Sequence, residues 1–264
     1  MTKELNSFYD NLDDELITEG KFQYVEKGEG EPFILLHGLF GALSNFKAVT
    51  DFLSKSYKVL IPKLPIYELP LLNTNVKNLA EFLDEFIEHK ELDKVFLLGN
   101  SLGGHVALVY ANMRQEKVKA MILSGSSGLY ENAFGGSFPR REDKSFLRDK
   151  IALTFYDPNM VTDELVDECH EAVNNRSKVI RILSIAKSAI RHNMRPVLPD
   201  FTVPFCLIWG RNDTITPPEV AEELQATLKD STLYWIDKCG HAPMMEHPEE
   251  FNKYLGEWLI KKEL

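Results

Sequence analysis

The chain has 264 residues, 44% of them hydrophobic, and a formal net charge of -10 at pH 7. A chain of this length can bury a large core, which favours one α/β domain that carries an insertion. A surface this acidic would repel nucleic acid and anionic membranes, so we expect neither as a partner.

The start of the chain lacks the basic residues and the apolar core of a signal peptide. No stretch approaches the ~18 consecutive apolar residues that would span a bilayer, so we expect a cytoplasmic location. The three cysteines, Cys169, Cys206 and Cys239, lie far apart without a C-x-x-C motif. This spacing predicts free thiols and neither a disulfide framework nor a metal site.

Short apolar runs alternate with helical patterns along most of the chain, which is typical of βαβ units around a buried, largely parallel sheet. Six runs are predicted as strands: 32–38, 57–62, 95–100, 120–126, 205–210 and 232–237. The stretch 75–90 is predicted as a helix because its apolar residues recur every three or four positions. Prolines at the start of 217–228 and lysines at the end of 247–262 indicate two further helices.

The alternation stops in the region 129–200, which holds helical patterns and no convincing strand. We interpret this region as a helical cap inserted between two strands of the sheet. Residues 1–128 and 201–264 are then the first and second parts of one core.

A serine stands between glycines in the stretch "VFLLGNSLGGHVAL", where Gly99 to Gly103 fit the pattern G-x-S-x-G. An apolar strand precedes Ser101 and an amphipathic helix follows it, which is the context that a nucleophile elbow requires. The turn would lift the serine hydroxyl above the sheet, where the Leu102 N–H can meet a developing oxyanion. The alternative is a glycine-rich turn whose serine only caps the helix.

A serine hydroxyl is a weak nucleophile at neutral pH and needs a base and a group that orients the base. Asp213 and His241 each follow a predicted strand, and their order after Ser101 is the order of this hydrolase architecture. Asp213 could instead cap a turn, and His241 could be a surface loop residue. Asp237 is a second candidate acid, but it lies on the same strand end as the histidine.

Two further histidines, His105 and His247, are interpreted as structural because they fall in the first turns of predicted helices. A second oxyanion donor is expected from the Leu39 N–H, in the tight loop that follows His37 and Gly38. His37 itself could be a structural histidine beside a glycine turn.

The motifs "HGLFG", "GNSLGGH", "WGRNDTITP" and "CGHAPMMEHPEEF" together resemble those of the α/β-hydrolase fold superfamily over nearly the whole chain. The resemblance implies an α/β fold with a mostly parallel central sheet, flanking helices and an inserted helical cap. It also implies a Ser101–Asp213–His241 triad and an oxyanion hole formed by the backbone N–H groups of Leu39 and Leu102. No cofactor or metal is implied.

Within the superfamily the motifs look most like those of the meta-cleavage hydrolases, which break carbon–carbon bonds. Cys169 and Ala242 stand where those enzymes carry an arginine and a tryptophan. The loop after residue 62 also departs from the glycine-rich pattern of the family and reads "KLPIYELPLL". The changed loop alters either a pocket wall or a surface. The serine at the elbow argues against epoxide hydrolases and haloalkane dehalogenases, which place an aspartate there.

These observations predict a serine hydrolase of the carboxylesterase type that acts on a small or medium, largely apolar ester. The expected partner is a small-molecule substrate, with no nucleic acid and no membrane, and the oligomeric state is left open. Two alternatives remain: a carbon–carbon bond hydrolase, and a ligand receptor that keeps the triad but turns over little.

Overall fold

A computed structural model of the chain describes residues 15–40, 42–131 and 140–264. Within these ranges eight strands form one sheet, in the order β1-β2-β4-β3-β5-β6-β7-β8. The strands are β1 (Ile17–Glu19), β2 (Phe22–Lys27), β3 (Glu31–Leu36), β4 (Tyr57–Pro62), β5 (Val95–Asn100), β6 (Val118–Ser124), β7 (Phe205–Gly210) and β8 (Ser231–Ile236). Strand β2 pairs antiparallel with β1 and β4, and all other pairs are parallel.

The helices of the described ranges cover both faces of this sheet. They are α1 (Lys47–Leu53), α2 (Val76–His89), α3 (Leu102–Met113), α4 (Lys144–Ala152), α5 (Asp163–Asn174), α6 (Arg176–Arg191), α7 (Pro218–Thr227), α8 (Pro243–Glu246) and α9 (Pro248–Lys261). Helices α2, α3 and α7 bury apolar side chains in the core on one face. Helices α1 and α9 do so on the other face. Strands β5 and β7 are therefore buried at every position.

The fold class predicted from the sequence is confirmed. Three predicted strands, 57–62, 95–100 and 205–210, coincide with β4, β5 and β7. Strand β3 ends at Leu36, two residues before the predicted end, because the chain turns into a loop at His37. Strands β1 and β2 and helix α1 were not predicted.

The region between β6 and β7 holds α4, α5 and α6 and no strand among its described residues. Helix α6 is tied to the chain before α2, since Ser184 donates a hydrogen bond of 2.9 Å to the Thr74 carbonyl. The Val76 N–H in turn donates to Ser188 Oγ at 3.1 Å. The division into two core parts and a cap stays a prediction.

The described ranges contain neither a membrane-spanning helix nor a cluster of metal-binding side chains. None of their helices combines the length and the apolar character that a bilayer crossing needs. Within the same ranges, no three His, Cys, Asp or Glu side chains are grouped as metal ligands would be.

Candidate active site

Ser101 stands at a sharp corner between β5 and α3. Its φ of 54° and ψ of -120° lie in a region that non-glycine residues rarely adopt, so the turn is strained. The glycines beside it are required by close packing. A Cβ on Gly103 would lie 1.9 Å from the Leu36 carbonyl oxygen, and a Cβ on Gly99 would lie 2.4 Å from the Gly104 nitrogen. At this corner the backbone of α3 therefore packs directly against the backbone at the end of β3.

Asp213 and His241 form a buried pair although 28 residues separate them in sequence. The distance between Asp213 Oδ2 and His241 Nδ1 is 2.9 Å. Asp213 Oδ1 accepts hydrogen bonds from the Ile215 and Thr216 N–H groups at 2.8 and 2.9 Å. The carboxylate is held in one orientation, and its contact with Nδ1 favours the tautomer that leaves Nε2 as an acceptor.

Two hydrogen bonds to the backbone of His241 fix the loop that carries it, one at its N–H and one at its carbonyl oxygen. The His241 N–H donates to the Thr154 carbonyl at 2.7 Å. The His241 carbonyl accepts from Asn100 Nδ2 at 3.0 Å, and the same amide donates to the Ser124 carbonyl at 2.9 Å. Asn100 directly precedes Ser101, so one side chain links the serine corner to the histidine loop. Sequence reasoning missed this residue, whose signal is an asparagine at the end of an otherwise apolar strand.

The loop 125–128 after β6 packs against the same groups. A Cβ on Gly125 would lie 2.9 Å from His241 Nδ1 and 3.2 Å from Asp213 Oδ2, and Gly125 has a φ of +51°. The Ser127 N–H donates to the Ser101 carbonyl at 3.1 Å. The strand ends at Ser124, two residues before the end predicted from the sequence, and the loop that follows it forms one wall of the site.

The loop after β3 reaches the serine from the other side. A Cβ on Gly38 would lie 3.3 Å from Ser101 Cβ. His37 Nδ1 lies 2.9 Å from the Gly38 carbonyl oxygen, and the Leu64 N–H donates to His37 Nε2 at 3.0 Å. These contacts give His37 a structural role that orients the loop. The use of the Leu39 N–H as an oxyanion donor stays a prediction.

Ser101, Leu102, Leu39 and His241 line one cavity of about 220 Å³. Most of its remaining wall is apolar and comes from the three helices between β6 and β7. Representative side chains are Leu147 and Ile151 on α4, Leu165 and Val173 on α5, and Ile182 and Ile185 on α6. The cavity is therefore mostly apolar, with Ser101 and His241 among the few polar groups of its wall, as in many small-molecule sites.

The alternatives to these residues lie elsewhere. Asp237 forms an ion pair with Arg211, and its side chain is 81% exposed. His247 Nε2 contacts the Lys238 carbonyl on the surface. His105 is fully buried, and neither ring nitrogen has a hydrogen-bond partner in the described part of the chain.

A family model described as "Serine aminopeptidase, S33" matches residues 67–248, more than half of the chain. The crystal structure of MGS-MChE2, an α/β hydrolase enzyme from the metagenome of lagoon sediments at Mar Chica, Morocco, is 49% identical. That match covers 94% of this chain and 99% of that chain, with a TM-score of 0.79.

Two more distant relatives carry different activities in their names. The 2-hydroxy-6-oxo-6-phenylhexa-2,4-dienoate hydrolase of Comamonas testosteroni is 25% identical, and the match covers 99% of both chains. The structure of a thermophilic esterase from Thermogutta terrifontis has a TM-score of 0.72 at 21% identity and covers 93% of this chain and 96% of that chain. At that identity the esterase shows a shared fold alone.

Proposed function

Because the chain belongs to the serine aminopeptidase S33 family of α/β hydrolases, we propose that it cleaves small or medium, largely apolar carboxylic esters through an acyl-enzyme. One observation carries the proposal. His241, which is held by the buried carboxylate of Asp213, lines the same mostly apolar cavity as the strained Ser101, and this supports the proposal.

In the first step His241 Nε2 takes the proton of the Ser101 hydroxyl while its oxygen attacks the ester carbonyl carbon. The carbonyl oxygen becomes an oxyanion, which the Leu39 and Leu102 N–H groups would stabilise. The tetrahedral intermediate collapses, the protonated histidine gives its proton to the alcohol, and the acyl group stays on Ser101. Asp213 keeps the imidazole oriented and stabilises its charged form.

In the second step water replaces the alcohol. His241 takes a proton from the water, whose oxygen attacks the acyl carbonyl, and the same oxyanion donors act again. Collapse releases the carboxylic acid and returns the proton to the serine oxygen. The apolar walls from α4, α5 and α6 support a preference for apolar groups on the substrate.

Hydrolysis of a carbon–carbon bond is the second candidate, because relatives named for 2-hydroxy-6-oxo-dienoate hydrolysis match almost the whole chain. Lys150 and Lys187 line the cavity and could face a substrate carboxylate. Cys169 and Ala242 line it too, at the positions where the sequence comparison expects an arginine and a tryptophan. Ester hydrolysis is favoured because neither the thiol of Cys169 nor the methyl group of Ala242 carries a charge that would bind the carboxylate of a keto acid.

A two-substrate assay separates the candidates. We expect turnover of p-nitrophenyl esters, little turnover of a dienol keto acid, and loss of at least about 10³-fold in kcat for Ser101→Ala. Keto acid turnover that exceeds ester turnover would establish the second candidate. Absence of turnover on both substrates by a folded protein would favour a ligand receptor.

A further inference from the structure

A second cavity, of about 400 Å³, shares part of its wall with the cavity that Ser101 lines. It is lined by the loop after β4, by the loop after β3 and by α5. The loop after β4 supplies residues 63, 64 and 66–68. This is the stretch "KLPIYELP", which departs from the pattern of the family. The residues that depart from the family pattern therefore form part of a pocket wall.

Three side chains separate the two cavities. Leu39, Phe40 and Cys169 line both of them, so these three residues lie between the two cavities. Cys169 is the smallest of the three and is 8% exposed. Burial raises the pKa of its thiol to about 12, so at neutral pH the group is an uncharged, weakly polar part of the wall.

Helix α5 contributes residues to both cavities. Val173 lines only the catalytic cavity, Ala172 lines only the second cavity, and Cys169 lines both. Positions three and four apart share a helix face, so the boundary between the cavities runs along α5 between these side chains. A substitution at Val173 or at Ala172 can therefore alter one cavity alone, and a substitution at Cys169 alters both.

The lining of the second cavity indicates the kind of group it would hold. Its apolar side chains include Leu43, Leu64 and Ile66. The charged groups around them are three carboxylates and two ammonium groups, from Glu68, Glu168, Glu171, Lys63 and Lys178. Lys178 is paired with Glu171 at 2.8 Å. An apolar chain with an uncharged end fits this lining better than a chain that ends in a carboxylate.

We propose that the second cavity extends the substrate site and takes the distal part of a long, linear, uncharged ester chain, with Cys169 controlling passage between the cavities. The inference rests on the proposed ester hydrolysis and extends its substrates from small and medium esters to long ones. The chain could be the acyl or the alcohol part of the ester. Two ester series, one of graded acyl length and one of acetates with graded alcohol length, distinguish these sources.

The test compares kcat/KM for acetate, butyrate, octanoate and dodecanoate esters in the wild type and in variants. Cys169→Ala removes part of the partition and should raise the ratio of dodecanoate to butyrate turnover by at least about threefold. Ala172→Leu narrows the second cavity and should lower the same ratio by a similar factor. Glu164→Ala, exposed on the same helix, serves as the control, and thermal unfolding checks that each variant is folded.

The outcomes separate the two levels of the proposal. If wild-type butyrate turnover is present and neither Cys169→Ala nor Ala172→Leu moves the chain-length ratio in either series, the second cavity is not a substrate site. A parallel loss for butyrate and dodecanoate in Ala172→Leu would also overturn it, because a cavity-specific effect must depend on length. Absence of wild-type turnover on every ester contradicts the proposed function itself.

Discussion

Ser101 occupies a backbone conformation that costs of order 1–3 kcal/mol, and the surrounding contacts hold it there. Its N–H donates to the Ser124 carbonyl at 3.2 Å, and its carbonyl accepts from Ser127 and from His105, the latter inside α3. Asn100 adds the link to the histidine loop. Ser101 is thus positioned by groups from two strands, one helix and one loop.

The substitution Asp213→Asn tests whether Asp213 is the carboxylate that orients His241. Asp213→Asn keeps the size of the side chain but allows the wrong histidine tautomer, so we expect kcat to fall by about 10⁴-fold with KM little changed. Steady-state kinetics on a p-nitrophenyl ester measures this. Asp237→Asn is the matched control, since that exposed residue pairs only with Arg211 among the contacts described here, and it should retain nearly full activity. The reverse pattern would assign the acid to Asp237.

At the scale of elements, the sharp corner depends on the contact of α3 with β3. Gly103→Ala would place a Cβ 1.9 Å from a backbone oxygen, which cannot move without shifting β3. We expect a loss of at least about 3 kcal/mol in the free energy of unfolding, measured with denaturant. In Gly256→Ala, on α9, the new Cβ meets only the end of the Phe52 ring at 3.0 Å. That control should stay within about 1 kcal/mol of the wild type, and equal losses would refute the backbone contact as the cause.

Elements buried between two helical layers could be predicted almost to the residue. Strands β5 and β7 are continuous apolar runs that end at polar or glycine positions, a pattern that tertiary contacts do not alter. Strand β2 was missed because it mixes half-buried charges with apolar residues in only six positions, and β1 has three residues. Helix α1 spans two turns and buries only Val49, Thr50 and Leu53. Short elements of this kind depend on their neighbours more than on their own pattern.

The candidate site was partly predictable for a topological reason. Ser101, Asp213 and His241 each follow a parallel strand, and parallel strands deliver their carboxyl ends to one edge of the sheet. The contacts that Asn100 and Gly125 make with His241 could not be predicted, because both residues are far from His241 in sequence and no local pattern encodes such contacts. The second cavity is likewise formed by three separate segments.

At the scale of the whole molecule, a buried histidine should make stability depend on pH. Burial, with a further contribution from the nearby His192, lowers the pKa of His105 from 6.5 to about 4. Between these values the unfolded chain binds the proton and the folded chain does not. The free energy of unfolding should therefore fall as pH drops from 6.5 to about 4, by about 3 kcal/mol in total.

Denaturant unfolding at several pH values measures this loss, and the His105→Leu variant isolates it from the titration of carboxylates. The variant should lose less stability than the wild type over the same range, because it has no imidazole to protonate. Identical slopes for the two proteins would show that His105 is not the group responsible.

In the proposed mechanism His241, oriented by Asp213, makes the Ser101 oxygen reactive. The most direct measurement is the reaction with a fluorophosphonate, followed by mass spectrometry to locate the adduct. We predict one adduct, on Ser101, absent from Ser101→Ala, with a labelling rate at least about 10³-fold lower in His241→Ala. An adduct on another serine of the same cavity, such as Ser127, or an unchanged rate in His241→Ala, would contradict the account.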